Sequence, residues 1–79
     1  MGKVYKAIQP IGSRNIYALL RAVGDVPESV LFVKDGRVAN GKSMLGIMSL
    51  AIQSGDKVEI ISRNSKIEGI LSEYFTREM

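Results

Sequence analysis

Apolar residues recur along this chain at two periods, and the switches between them mark out its elements. Lys3 to Ile8 is short, mixed and partly β-branched, a suitable first strand that Pro10 closes. Its phase is open: Val4 and Ile8 suggest one inward face, Tyr5 and Ala7 the other. Ile16, Leu19, Leu20 and Val23 then fall at i, i+3, i+4 and i+7, one stripe of an α-helix. Ser13 is a suitable N-cap and Gly24 a suitable stop, which predicts a helix from about Arg14 to Val23. After a turn at Asp25 to Glu28, Val30-Leu31-Phe32-Val33 reads as a strand. Asp35-Gly36 is a two-residue hairpin signal, and Arg37 to Asn40 is the return strand.

Gly41-Lys42-Ser43 opens the next helix, with Ser43 as its cap and its end near Ile52; Ile47 and Leu50 are its candidates for burial. Ser54-Gly55-Asp56 breaks the pattern, and Lys57 to Ile61 alternates as a half-buried strand does. Asn64-Ser65 is a further capping signal. Ile67, Ile70, Leu71, Tyr74 and Phe75 restore the helical stripe and predict a closing helix from about Lys66 to Arg77. The order β-α-β-β-α-β-α contains no repeat, linker or low-complexity segment. It predicts an α+β fold, one antiparallel sheet with helices on one face.

Composition narrows the chemistry. At 79 residues the chain is expected to form a single domain, residues 1–79, in which almost every long apolar side chain is needed for the core. Absence of cysteine removes disulfides, thiol nucleophiles and thiolate metal sites; absence of histidine removes imidazole bases, ligands and phosphohistidine. No metal, cofactor or catalytic group is expected, and the chain is read as a non-enzyme. The net charge of +3 permits anionic partners, but the basic residues are scattered from Lys3 to Arg77, so no direct nucleic-acid contact is expected. With no long apolar run and no signal peptide, a cytoplasmic protein without a membrane segment is expected.

The run Asn40-Gly41-Lys42-Ser43-Met44-Leu45-Gly46-Ile47-Met48-Ser49-Leu50 resembles the segment around the regulatory serine of HPr, the histidine-containing phosphocarrier of the bacterial sugar phosphotransferase system. Ser54-Gly55-Asp56-Lys57-Val58-Glu59-Ile60 is similar to that family's turn into its last strand, and length and element order agree. The resemblance implies an open-faced β-sandwich: a four-stranded antiparallel sheet with three helices on one face. Counting back from Ser43 without gaps puts Arg14 on the family's active-site arginine, Gly12 on its phosphorylated histidine and Asn15 on its proline. A one-residue gap puts Ser13 at the histidine position instead. Because no histidine exists anywhere in the chain, the sequence resembles the Crh-type branch that kept only the serine. That branch implies phosphorylation by the HPr kinase/phosphorylase and binding to a LacI-type catabolite control repressor.

Four sets of residues carry these expectations. Ser43 at a helix N-terminus would place an added phosphate among unsatisfied N–H groups and the positive end of the dipole; without phosphate it is a cap worth ~1 kcal/mol. Lys42 beside it could support that anion or meet an acidic group of a partner. Met44, Leu45 and Met48 lie on a helix too short to bury every side, which suggests a docking patch. Gly12-Ser13-Arg14 offers a second anion-binding turn, where Arg14 would meet a phosphate or carboxylate of a partner. Finally, if Val30 and Phe32 point to the core, alternation sends Leu31 and Val33 to the other sheet face, and a homodimer becomes an expectation.

Overall fold

The structure is a computed structural model and describes residues 2–78. Its elements are β1 (Gly2–Ala7), α1 (Ile16–Gly24), β2 (Val30–Lys34), β3 (Arg37–Asn40), α2 (Met44–Ser49), β4 (Lys57–Ser62), α3 (Ile67–Ile70) and β5 (Phe75–Arg77). The strands form one sheet in the order β3-β2-β4-β1-β5, with every neighbouring pair antiparallel. Period-2 alternation decides what each strand gives to the core. Tyr5 and Ala7 point inward from β1 and leave Val4 and Ile8 exposed, which settles the phase of the first strand. Val30 and Phe32, Ala39, and Val58 and Ile60 follow from β2, β3 and β4. Against them pack Ile16, Leu19 and Val23 of α1, Ile47 of α2 and Ile67 of α3 in one cluster. Among the described residues no polar or charged side chain is buried.

The hairpin between β2 and β3 turns as the sequence predicts. Asp35 and Gly36 both take positive φ, 51° and 78°, the backbone that a tight two-residue turn requires. Two helices are trimmed: α1 begins at Ile16 rather than Arg14, and α2 ends at Ser49 rather than near Ile52.

The C-terminal segment departs further from expectation. In place of one helix over Lys66–Arg77 there is a four-residue helix, a turn over Leu71–Tyr74 and a fifth strand, so the sheet has five strands and not four. The apolar stripe is nevertheless buried, at Ile67, Leu71, Tyr74 and Phe75. Two forces favour the break. Gly69 weakens helix by ~1 kcal/mol relative to alanine. The open edge of β1 offers ladder hydrogen bonds, and β5 takes them in the register Tyr5↔Arg77, Lys6↔Thr76, Ala7↔Phe75. Phe75 then meets Phe32 edge to face, with centroids 5.6 Å apart.

Candidate functional site

The segment that presents Ser43 is built from side-chain-to-backbone hydrogen bonds. Asn40 Oδ1 accepts from the Lys42 N–H at 2.9 Å, and the Asn40 carbonyl accepts from the Ser43 N–H at 2.9 Å. The Gly41 N–H donates to the Val30 carbonyl at 2.6 Å. A Cβ on Gly41 would lie 2.9 Å from that same oxygen, so the close approach of chain to β2 demands glycine. Ser43 itself is extended, half-buried, and accepts from the Gly46 N–H at 3.1 Å through its Oγ. It is the N-cap of α2, as its position in the sequence predicts.

α2 is six residues long and anchored on one side only. Ile47 is buried, as is Leu50 just beyond the helix, whereas Met44 is 38% exposed, Met48 40% and Leu45 78%. The other end is held from outside: Lys34 Nζ donates to the Leu50 and Ala51 carbonyls at 2.8 and 3.2 Å, and Arg37 Nη1 to the Ser49 carbonyl at 3.0 Å. These cations satisfy carbonyls that the last turn leaves open and oppose the negative end of the dipole. Lys34 also pairs with Asp56 at 3.3 Å. The Gln53 N–H, donating at 2.8 Å, holds the Asp56 carboxyl below its usual range; slight desolvation opposes that, and Lys34 reinforces it. Nothing in local periodicity announces this clamp, because it joins residues across the hairpin.

Lys42 does not stand over Ser43. Its ammonium donates to the Val26 carbonyl at 2.5 Å and ties the start of α2 to the chain just after α1. At the other end of the pair, the Ile11 N–H donates to the Ile52 carbonyl at 3.0 Å. The two helices therefore run antiparallel, and the Gly12–Arg14 turn sits at the opposite end of α2 from Ser43. The structure brings Ser43, Met44, Leu45 and Met48 together on one element. Ser43 is separated from the end of α2 nearer Arg14 by the length of that helix, ~9 Å at 1.5 Å per residue, whereas Met48 lies in its last turn, at the end nearer the Gly12–Arg14 turn.

Asn15 and not Ser13 occupies the N-cap position of α1, but its side chain caps no N–H of the helix and instead braces the preceding turn. Asn15 Oδ1 accepts from the Gly12 N–H at 2.9 Å, while its Nδ2 donates to Gln9 Oε1 at 3.0 Å and to the Pro10 carbonyl at 2.9 Å. Asparagine before a helical stripe marks the N-cap position in the sequence, which Ser13 two residues earlier pre-empted; the bracing of the turn by its side chain is not written in that signal. Ser13 and Arg14 are exposed, and Arg14 borders a depression of about 250 Å³ with Gln9, Pro10, Gly12 and Asn15. A Cβ at Gly12 would meet nothing within 4 Å, so the position has room for a side chain that the sequence does not supply. Leu31 and Val33 lie on the outer sheet face and are half-buried there; the strand register puts Val33 beside Val38 and Leu31 beside Ile61. Among the described residues no group of three or more carboxylates is placed to hold a metal ion, and no helix is long and apolar enough to cross a membrane.

A five-stranded antiparallel sheet, three short helices and a serine capping the second define the class. The family model described as the PTS HPr component phosphorylation site matches residues 11–73, and the chain belongs to the HPr family. Among solved structures, the phosphocarrier protein HPr from Bacillus anthracis superposes with a TM-score of 0.77 at 27% identity, over 92% of this chain and 89% of that one. HPr-C-His from Thermoanaerobacter tengcongensis gives 0.75 at 20% identity, over 91% and 83%. Crh of Bacillus subtilis, described as a dimer with a swapping domain, gives 0.65 at 26% identity, over 82% and 75%. No curated protein matches the sequence.

Proposed function

We propose that this protein is a regulatory relative of HPr, phosphorylated on Ser43 and docking to partners through α2, without the phosphohistidine step. The observation that carries the proposal is the placement of Ser43: a capping hydroxyl immediately followed by the exposed apolar side chains of Met44, Leu45 and Met48. Phosphate on Ser43 Oγ would add about −1.5 to −2 charges where the first N–H groups of α2 point, beside that apolar surface. Carrier chemistry requires a histidine, and the chain has none. The partners proposed are the HPr kinase/phosphorylase and a LacI-type catabolite control repressor, in the cytoplasm, with Arg14 contributing at the far end of α2. Self-association into a homodimer is proposed from the apolar outer sheet face; the swapped dimer of the Crh relative supports it.

A second possibility has its own support. The apolar side of α2 is already exposed in the unmodified chain, and the Lys42 ammonium is committed to Val26 rather than left for a phosphate. A constitutive interaction module that lost both phosphorylation functions would need no more. Titration calorimetry of the repressor against unmodified and Ser43-phosphorylated protein separates the two. The regulatory reading requires binding at least ~10-fold tighter after phosphorylation, about 1.4 kcal/mol; equal affinities would favour the constitutive module.

A further inference from the structure

The open side of α2 carries two thioethers. Met44 and Met48 stand four positions apart and so share a face of the helix, with Leu45 beside them. Neither belongs to the buried cluster, to which this stretch contributes Ile47 and Leu50 instead. A chain without cysteine has no thiolate to intercept a peroxide first. These sulfurs are therefore the softest nucleophiles that the described residues present to a two-electron oxidant.

We propose that Met44 and Met48 form an oxidation site through which a peroxide turns the α2 face from apolar to polar. The consequence for docking rests on the function proposed for that face above. In the reaction, a sulfur lone pair attacks one oxygen of hydrogen peroxide. The S–O bond forms as the O–O bond breaks, the sulfur is oxidised by two electrons, and the departing hydroxide takes the proton and leaves as water. Each methionine becomes a sulfoxide, a strongly polar group where a polarizable apolar one stood. The fold survives, because the anchors of α2 are Ile47, Leu50, the Ser43 cap and the Lys34–Arg37 clamp, none of them a thioether.

The test treats the whole protein with hydrogen peroxide. Peptide mapping by mass spectrometry then assigns oxygen to each of the four methionines separately, alongside a thermal melt and retention on a phenyl hydrophobic-interaction column. The expected result is one oxygen on each of Met44 and Met48, a cooperative melt retained, and weaker retention. A Met44→Leu/Met48→Leu variant should keep its retention through the same treatment. Met44 and Met48 staying unmodified until urea unfolds the chain would overturn the proposal. So would unchanged retention of the oxidised protein, or loss of its cooperative melt. These readouts involve neither a kinase nor Ser43, so a failure of serine phosphorylation and a failure of this proposal are told apart.

Discussion

Ala51, just beyond α2, has a φ of 49°, a left-handed backbone that costs an L-residue about 1–2 kcal/mol and glycine almost none. Ala51→Gly should stabilise the protein by ~0.5–1 kcal/mol in urea denaturation, the gain being reduced by the greater freedom of unfolded glycine; a loss of stability would show that this backbone is not strained. Asp56 makes a second prediction. Its folded pKa lies below the ordinary 3.8, so its contribution is complete above that value and disappears as pH falls through the folded pKa. Asp56→Asn should therefore flatten the acid limb of a stability–pH curve, and an unchanged limb would exclude Asp56 as its source. At this scale the sequence was legible where a residue acts on its own neighbours. Ser43 caps the helix it precedes, whereas the ammonium of Lys42 obeys Val26, 16 positions away, and no local pattern records that.

Among the elements, β5 bears the most on the architecture. Phe75 joins it to the core edge-on against Phe32, and Arg77 lies 5.9 Å from the centroid of the Tyr5 ring while reaching Glu68 at 3.5 Å. Phe75→Ala should cost about 3–5 kcal/mol and release hydrogen-exchange protection at the β1–β5 ladder first; uniform loss of protection across the sheet would mean that β5 is not a separate unit. The helical stripe from Ile67 to Phe75 was legible as apolar but misleading as a helix. Periodicity reports which side chains are buried, and an open sheet edge then decided how the backbone would satisfy its own hydrogen bonds. α2 failed the other way: its cap was visible at Ser43, but its short length and the clamp from Lys34 and Arg37 depend on a hairpin folding back over its end.

For the molecule as a whole, one sheet face is covered by helices and the other bears Leu31, Val33, Val38, Ile61 and Val4 amid charged residues. Alternation along β2 made this arrangement readable in advance, because the burial of Val30 and Phe32 settles where Leu31 and Val33 go. Sedimentation velocity over rising concentration should show a dimer, and Leu31→Lys should abolish it if the outer faces stack. A dimer that persists in the variant would instead favour exchange of an element between copies. Phosphorylation of Ser43 is tested most directly by intact-mass analysis after incubation with an HPr kinase/phosphorylase and ATP. One added phosphate, absent from the Ser43→Ala variant, is the predicted result. A chain that stays unmodified while an HPr control is phosphorylated in the same reaction would contradict it and leave Ser43 as a helix cap.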